Sequence, residues 1–100
     1  MYGCSTIDFD RAPPADWPDL RVKTYPLENV SKYCSGGLLQ IAVACTILRF
    51  DLGECHIVLQ IDAPNWVLQH ELAHCAGYDH PGETGAVDQH QAHKERRNRR

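Results

Sequence analysis

One hundred residues suffice for one small domain, and a chain of this size buries only about two-thirds of its unfolded surface, so a staple such as a metal would help it. Hydrophobic residues make up 43%, ordinary for a globular protein, and no apolar run approaches the roughly 18 residues of a membrane span. The net charge of −3 hides an asymmetry: the last seven residues, "KERRNRR", carry +4, and residues 1–93 carry −7.

Along the chain, "RAPPADWPD" reads as loop, because three prolines remove amide donors and restrict the residues before them. "LRVKTY", Leu20 to Tyr25, alternates apolar and polar residues and predicts a strand with one wet face. Pro26 is expected to turn the chain into "LENVSKYCS", a short helix candidate that stops at Gly36 and Gly37. "LLQIAVA" fits either a helix or a buried strand. Next come two β-rich runs, Cys45–Phe50 and Cys55–Ile61, separated by a four-residue turn containing Gly53, which predicts a hairpin. In "DAPNW", Asp62 is placed to cap a helix and Pro64 suits its first turn. That helix runs to about Ala76, where Gly77 supplies the left-handed residue that ends it. "ETGAVDQHQAHKERRNRR" adds a last short helix. The expected fold is α+β: a small, mostly antiparallel sheet packed on a zinc-binding helix, as one domain over residues 1–93 with a basic tail over 94–100.

Five cysteines are many for this length. Their odd number and the missing signal peptide predict reduced, partly buried thiols and a cytoplasmic protein, and the lack of a CxxC pair argues against a cysteine-only zinc knuckle. The basic tail is either a solvated terminus or a contact for RNA, a membrane surface or an acidic partner.

The chemistry concentrates in "WVLQHELAHCAGYDHPG", Trp66 to Gly82. Residues four apart on a helix share a face, so His70 and His74 can reach one ion. Glu71, about 100° further round, would meet a water beside that ion rather than the ion itself. Gly77 lets the chain turn back so that His80 supplies a third imidazole. Three neutral nitrogens leave one tetrahedral position open, the pattern of a catalytic Zn²⁺ site, with Glu71 as general base. The full spacing HExxHxxGxxH arises in about one of ten thousand shuffled chains of this composition, which favours a metal over a chance polar helix face.

"HELAHCAGYDH" resembles the extended zinc motif of the metzincin metallopeptidases and, more broadly, of the zincins. The resemblance implies that His70, His74 and His80 bind zinc, that Glu71 activates water and that Gly77 makes the turn. It further implies a peptide or protein substrate laid along an edge strand, for which "CHIVLQI" is the candidate, although a buried core strand reads the same way. Two departures mark the chain as a minimal zincin: no methionine turn follows, since Met1 is the only methionine, and the usual C-terminal subdomain has no counterpart in the segment after His80. The same residues are similar to the HGxLHLxGYDH signature of YbeY-type endoribonucleases, sharing the closing run Gly77 to His80. That family carries glycine where this chain has Glu71. A carboxylate there suits peptide hydrolysis and repels a phosphodiester. The remaining possibility is a non-catalytic interaction protein stabilised by zinc.

Asp79 and Glu83 are reserve ligands, and Asp79 or Asp88 is a candidate to orient a ligand histidine. His56 reads as packed or edge-exposed, and His90 and His93 as solvated. Cys75 is expected to pack, and Trp66 either packs in the core or walls the pocket.

Overall fold

In the computed structural model, residues 7–30, 34, 40–41 and 43–98 are described. Among these described residues four strands, β1 (Arg21–Leu27), β2 (Gln40–Ile41), β3 (Ala44–Arg49) and β4 (Glu54–Gln60), form one sheet in the order β1-β4-β3-β2, and two helices follow, α1 (Asn65–Cys75) and α2 (Gly85–Arg97). The fold is α+β. Its sheet is mixed: β2–β3 and β3–β4 pair antiparallel as expected, and β1 joins β4 in parallel.

The hairpin forms where its turn chemistry places it. Gly53 adopts φ 66°, a backbone region that residues with a Cβ enter only at a cost, and the register then sets Thr46 opposite Ile57 and Leu48 opposite Cys55. Side chains alternate across a strand. Ala44, Thr46 and Leu48 therefore share the face of β3 that meets α1, and Cys55, Ile57 and Leu59 share the corresponding face of β4. Leu48, Cys55, Ile57, Cys75 and Ala86 make the main core, with Trp17, Phe50, Leu68 and Leu72 packed around it.

The expected turn at Pro26 is absent. Pro26 lies inside β1, in register with Leu59. Arg21 N donates to Gly53 O and Leu27 O accepts from Ile61 N, both at 2.9 Å, so the odd-numbered residues of β1 turn their backbone groups to β4. Pro26, on the other parity, presents its missing N–H to the outer edge, where none is needed. Being an edge strand, β1 also has no dry face: Val22 and Tyr25 stay 43% and 41% exposed. Leu27 ends β1 rather than opening a helix, and residues 31–33 and 35 of "LENVSKYCS" lie outside the described residues. The ambiguous run "LLQIAVA" contributes β2 and the first residue of β3, with Val43 in the turn between them.

The "CHIVLQI" run forms an interior strand of the sheet, flanked by β1 and β3, so it offers no free edge to a substrate. The edges are β1 and β2.

The cysteines overturn a second expectation. Cys34 is bonded to Cys45 and Cys55 to Cys75. The second bridge ties the last residue of α1 to β4. An odd count had argued for free thiols, yet four of the five are paired and buried; the fifth, Cys4, lies outside the described residues. Among the described residues, no helix is long and apolar enough to cross a membrane.

Candidate metal centre

Helix α1 begins at Asn65, and Pro64 before it is the N-cap, whose extended ψ of 160° stops the helix from reaching back; among the described residues no side-chain cap hydrogen bond forms, so Asp62 does not act as expected. Its buried stripe includes Val67, His70, Glu71 and His74, the three- and four-residue spacing that an amphipathic helix normally fills with apolar side chains. Here three of the four positions are ionisable. Burying such groups costs several kcal/mol unless something pairs with them, so the stripe calls for a partner.

The helix ends at Ala76. Gly77 has φ 101°, and a Cβ there would sit 2.6 Å from Pro13 Cβ and 2.9 Å from Trp17 Cδ2. Only glycine allows the N-terminal loop to press this closely, and Trp17 Nε1 also donates to Cys75 O at 2.9 Å. The returning chain is held from several sides: Asp8 N donates to Asp79 O at 2.9 Å, Phe9 packs on Tyr78, and Arg11 donates to the carbonyl oxygens of His80 and Glu83.

This folding brings His80 back to α1. His70 Nε2 lies 3.3 Å from His74 Nε2 and 3.1 Å from His80 Nε2, and the three side chains form a buried group able to hold a metal ion. Nitrogens 2.0–2.1 Å from a tetrahedral zinc sit about 3.3–3.4 Å apart; the 3.3 Å separation matches and the 3.1 Å one is about 0.2 Å shorter. The tautomers agree. His74 Nδ1 donates to Tyr78 O at 2.9 Å and His80 Nδ1 donates to a Glu83 carboxylate oxygen at 2.8 Å, which leaves Nε2 of each ring with a lone pair. His70 Nε2 can donate to only one of them. Three such nitrogens lie close enough together for one cation to sit among them. Burial holds the His74 imidazole down to about 4, so it stays neutral and able to ligate at any ordinary pH.

Glu71 is fully buried. Thr46 Oγ1, on β3, donates to Glu71 Oε1 at 2.6 Å. The other oxygen, Oε2, has no hydrogen-bond partner among the described residues and lies 4.0 Å from His70 Nε2. Burial lifts this carboxyl to about 7, against the opposing pull of the Thr46 hydrogen bond. An orphaned, buried acceptor beside three imidazole nitrogens fits a water held between them and an ion.

The sequence placed His70, His74, His80 and Glu71 together, and the structure brings all four to one point. The helper residue is different. Glu83, a reserve ligand by sequence, orients His80. Asp79 instead accepts from Ala86 N at 2.9 Å and so caps α2, whose own first residue lacks a side-chain cap. Asp88 accepts from Thr84 Oγ1. Glu83 stands three residues after His80, and that short spacing was the available signal. Thr46 was missed altogether, because the contact crosses 25 residues.

Other expectations shift as well. His90 is buried, against Trp17 and Phe50, and His93 stacks on Phe50; neither is simply solvated. His56 pairs with Glu54 at 2.8 Å and meets Tyr25 edge-on. Cys75 is packed as expected, but in a disulfide. Trp66 is 46% exposed and so is no core residue. The basic segment is not frayed through Arg97: Lys94 to Arg97 complete α2, Lys94 bonds Asp16, and Arg96 and Arg97 line a groove of about 570 Å³ with Arg49 and His93.

No family model, no curated protein and no solved structure matches this chain.

Proposed function

We propose that the protein is a zinc-dependent peptidase of minimal zincin type, in which His70, His74 and His80 bind the ion and Glu71 is the general base. The observation that carries this reading is the unpartnered Oε2 of Glu71, buried and 4.0 Å from a ligand nitrogen. A structural site needs no such group. A zinc ion held by three imidazoles would supply a polarised carbonyl and a water of pKa about 7. Glu71 takes the proton of the attacking water on Oε2 and delivers it to the departing amine, returning to its carboxylate form. Thr46 and the protein interior keep the other oxygen engaged meanwhile. Tyr78 O and the Glu83 carboxylate hold the rings of His74 and His80 so that only Nε2 of each faces inward.

The substrate edge expected at "CHIVLQI" moves, under this reading, to an outer strand of the sheet. The two disulfides support an oxidising setting in place of the cytoplasm expected from the sequence.

One observation favours a second reading. All three imidazoles are 7% exposed or less, which suits a zinc that only staples a small core. Glu71→Gln separates the two. On the peptidase reading the variant keeps one zinc per chain and loses cleavage of an unstructured protein substrate by at least about 100-fold. A wild type that binds zinc tightly and cleaves nothing favours the staple, and equal turnover by Glu71→Gln removes Glu71 from the reaction. Cleavage of RNA instead, lost on neutralising Arg96 and Arg97, would promote the endoribonuclease.

A further inference from the structure

We propose that Thr46 is a positioning residue for the metal centre: its hydroxyl, reaching from the sheet to the helix, holds Glu71 so that one carboxylate oxygen alone faces the three imidazoles. This deepens the peptidase reading and rests on its assignment of Glu71.

The geometry is specific. Thr46 is 5% exposed, on the face of β3 turned toward α1. Its Oγ1 lies 2.6 Å from Glu71 Oε1 and 3.3 Å from the backbone oxygen of Glu71. A hydroxyl has one proton to give, and the 2.6 Å contact to Oε1 is much the shorter of the two, the 3.3 Å one being long for an O–H···O bond. The proton therefore goes to the side chain. With Oε1 so engaged, the carboxyl plane is fixed and Oε2 is left without a hydrogen-bond partner among the described residues, 4.0 Å from His70 Nε2.

The support beneath Thr46 is stiff. A threonine in a strand has few χ1 choices. Its neighbour Cys45 is bridged to Cys34, and Thr46 itself is paired across to Ile57 in β4. The Cys55–Cys75 bridge ties that same strand to the end of α1. The donor on the sheet and the acceptor on the helix are thus held by one covalently linked frame. Valine at this position would keep the shape and remove the proton, leaving both carboxylate oxygens unpaired in a dry site and free to rotate toward either side.

The test uses the zinc-loaded full chain and acetohydroxamate, a small zinc-directed acid whose bound form gives up a proton to a neighbouring carboxylate. Binding is followed by calorimetry, which needs no turnover. Thr46→Val should hold zinc as tightly as wild type yet bind acetohydroxamate about 10–100-fold more weakly. Thr46→Ser, which restores the hydroxyl, should recover most of that affinity. Glu71→Gln should weaken binding similarly, and the double variant no further, since the two residues act as one unit. If Thr46→Val does not fold, Thr46→Ala takes its place in the same cycle.

Unchanged acetohydroxamate affinity in the valine or alanine variant, or losses that simply add, would overturn the proposal. So would a zinc-loaded wild type that binds no acetohydroxamate, because Oε2 would then face no open coordination position. A wild type that binds acetohydroxamate as described but cleaves no peptide leaves Thr46 in place and sinks the peptidase reading alone. Where peptide cleavage is measurable, Thr46→Val should lower kcat with KM little changed.

Discussion

Replacing Gly77 by alanine attacks the bend that returns His80 to the helix. Two costs can be worked from the structure. At φ 101° an L-residue is strained, worth about 1–3 kcal/mol. The new Cβ would also meet Pro13 Cβ at 2.6 Å and the Trp17 ring at 2.9 Å, and these neighbours cannot withdraw freely, since the Trp17 ring is bonded to Cys75 O. Overpacking of this kind adds about 1–3 kcal/mol. The total is about 2–6 kcal/mol, which for a domain of this size lowers Tm by at least about 10 °C. Gly82→Ala is the internal control: it shares a positive φ of 78° but meets nothing within 4 Å, so it should cost the backbone strain alone. Thermal unfolding of both variants, without metal, gives the comparison. A Gly77→Ala variant that melts with Gly82→Ala would refute the claim that the N-terminal loop is packed against the bend.

Four further outcomes are expected. Glu71, raised to about 7 from 4.5 by burial, favours the folded apo-protein below pH 4.5, and that contribution is lost as pH rises through 7; His74, lowered from 6.5 to about 4, works the opposite way. The denaturant stability of apo wild type minus that of apo Glu71→Gln should therefore fall by about 3 kcal/mol between those pH values, and a flat difference would contradict the burial assigned to Glu71. Zinc loading should abolish the fall, because a nearby cation keeps the carboxylate ionised. Reducing the Cys55–Cys75 bridge, which closes a separation of 20 residues, should cost about 3 kcal/mol on the loop-entropy model; a Cys55→Ala/Cys75→Ala variant as stable as wild type would show that the bridge does not constrain the fold. Glu83→Gln should weaken zinc binding about 10–100-fold by calorimetry, and an unchanged affinity would mean that the His80 orientation does not depend on that carboxylate.

The parts of the fold legible in the sequence are those set by neighbours along the chain. The hairpin follows from two β-rich runs about Gly53, and the end of α1 follows from Gly77. The histidine set is legible for the same reason: a four-residue spacing, close to one helical turn, and a glycine bend bring His70, His74 and His80 together without reference to anything distant. What the sequence leaves open is decided across the fold. The parallel docking of β1 is a pairing over about thirty residues, and it turns Pro26 from an expected turn former into a tolerated edge residue. The disulfides could not be read from an odd cysteine count because pairing depends on which thiols the sheet and helix bring within reach. His90 reads as polar in a charged stretch, yet the aromatic rings of Trp17 and Phe50, some 73 and 40 residues away, make it part of the interior. Thr46 escaped notice for the same cause. Its neighbours in sequence describe a strand; its partner is on a helix.

The most direct measurement is an anomalous difference map at the zinc absorption edge from crystals of zinc-loaded protein. One strong peak should lie about 2.0–2.1 Å from Nε2 of His70, His74 and His80, with a solvent oxygen completing the tetrahedron within hydrogen-bonding distance of Glu71 Oε2. A peak elsewhere, no peak, or a fourth position filled by a protein side chain would contradict the account of an open, carboxylate-assisted metal centre.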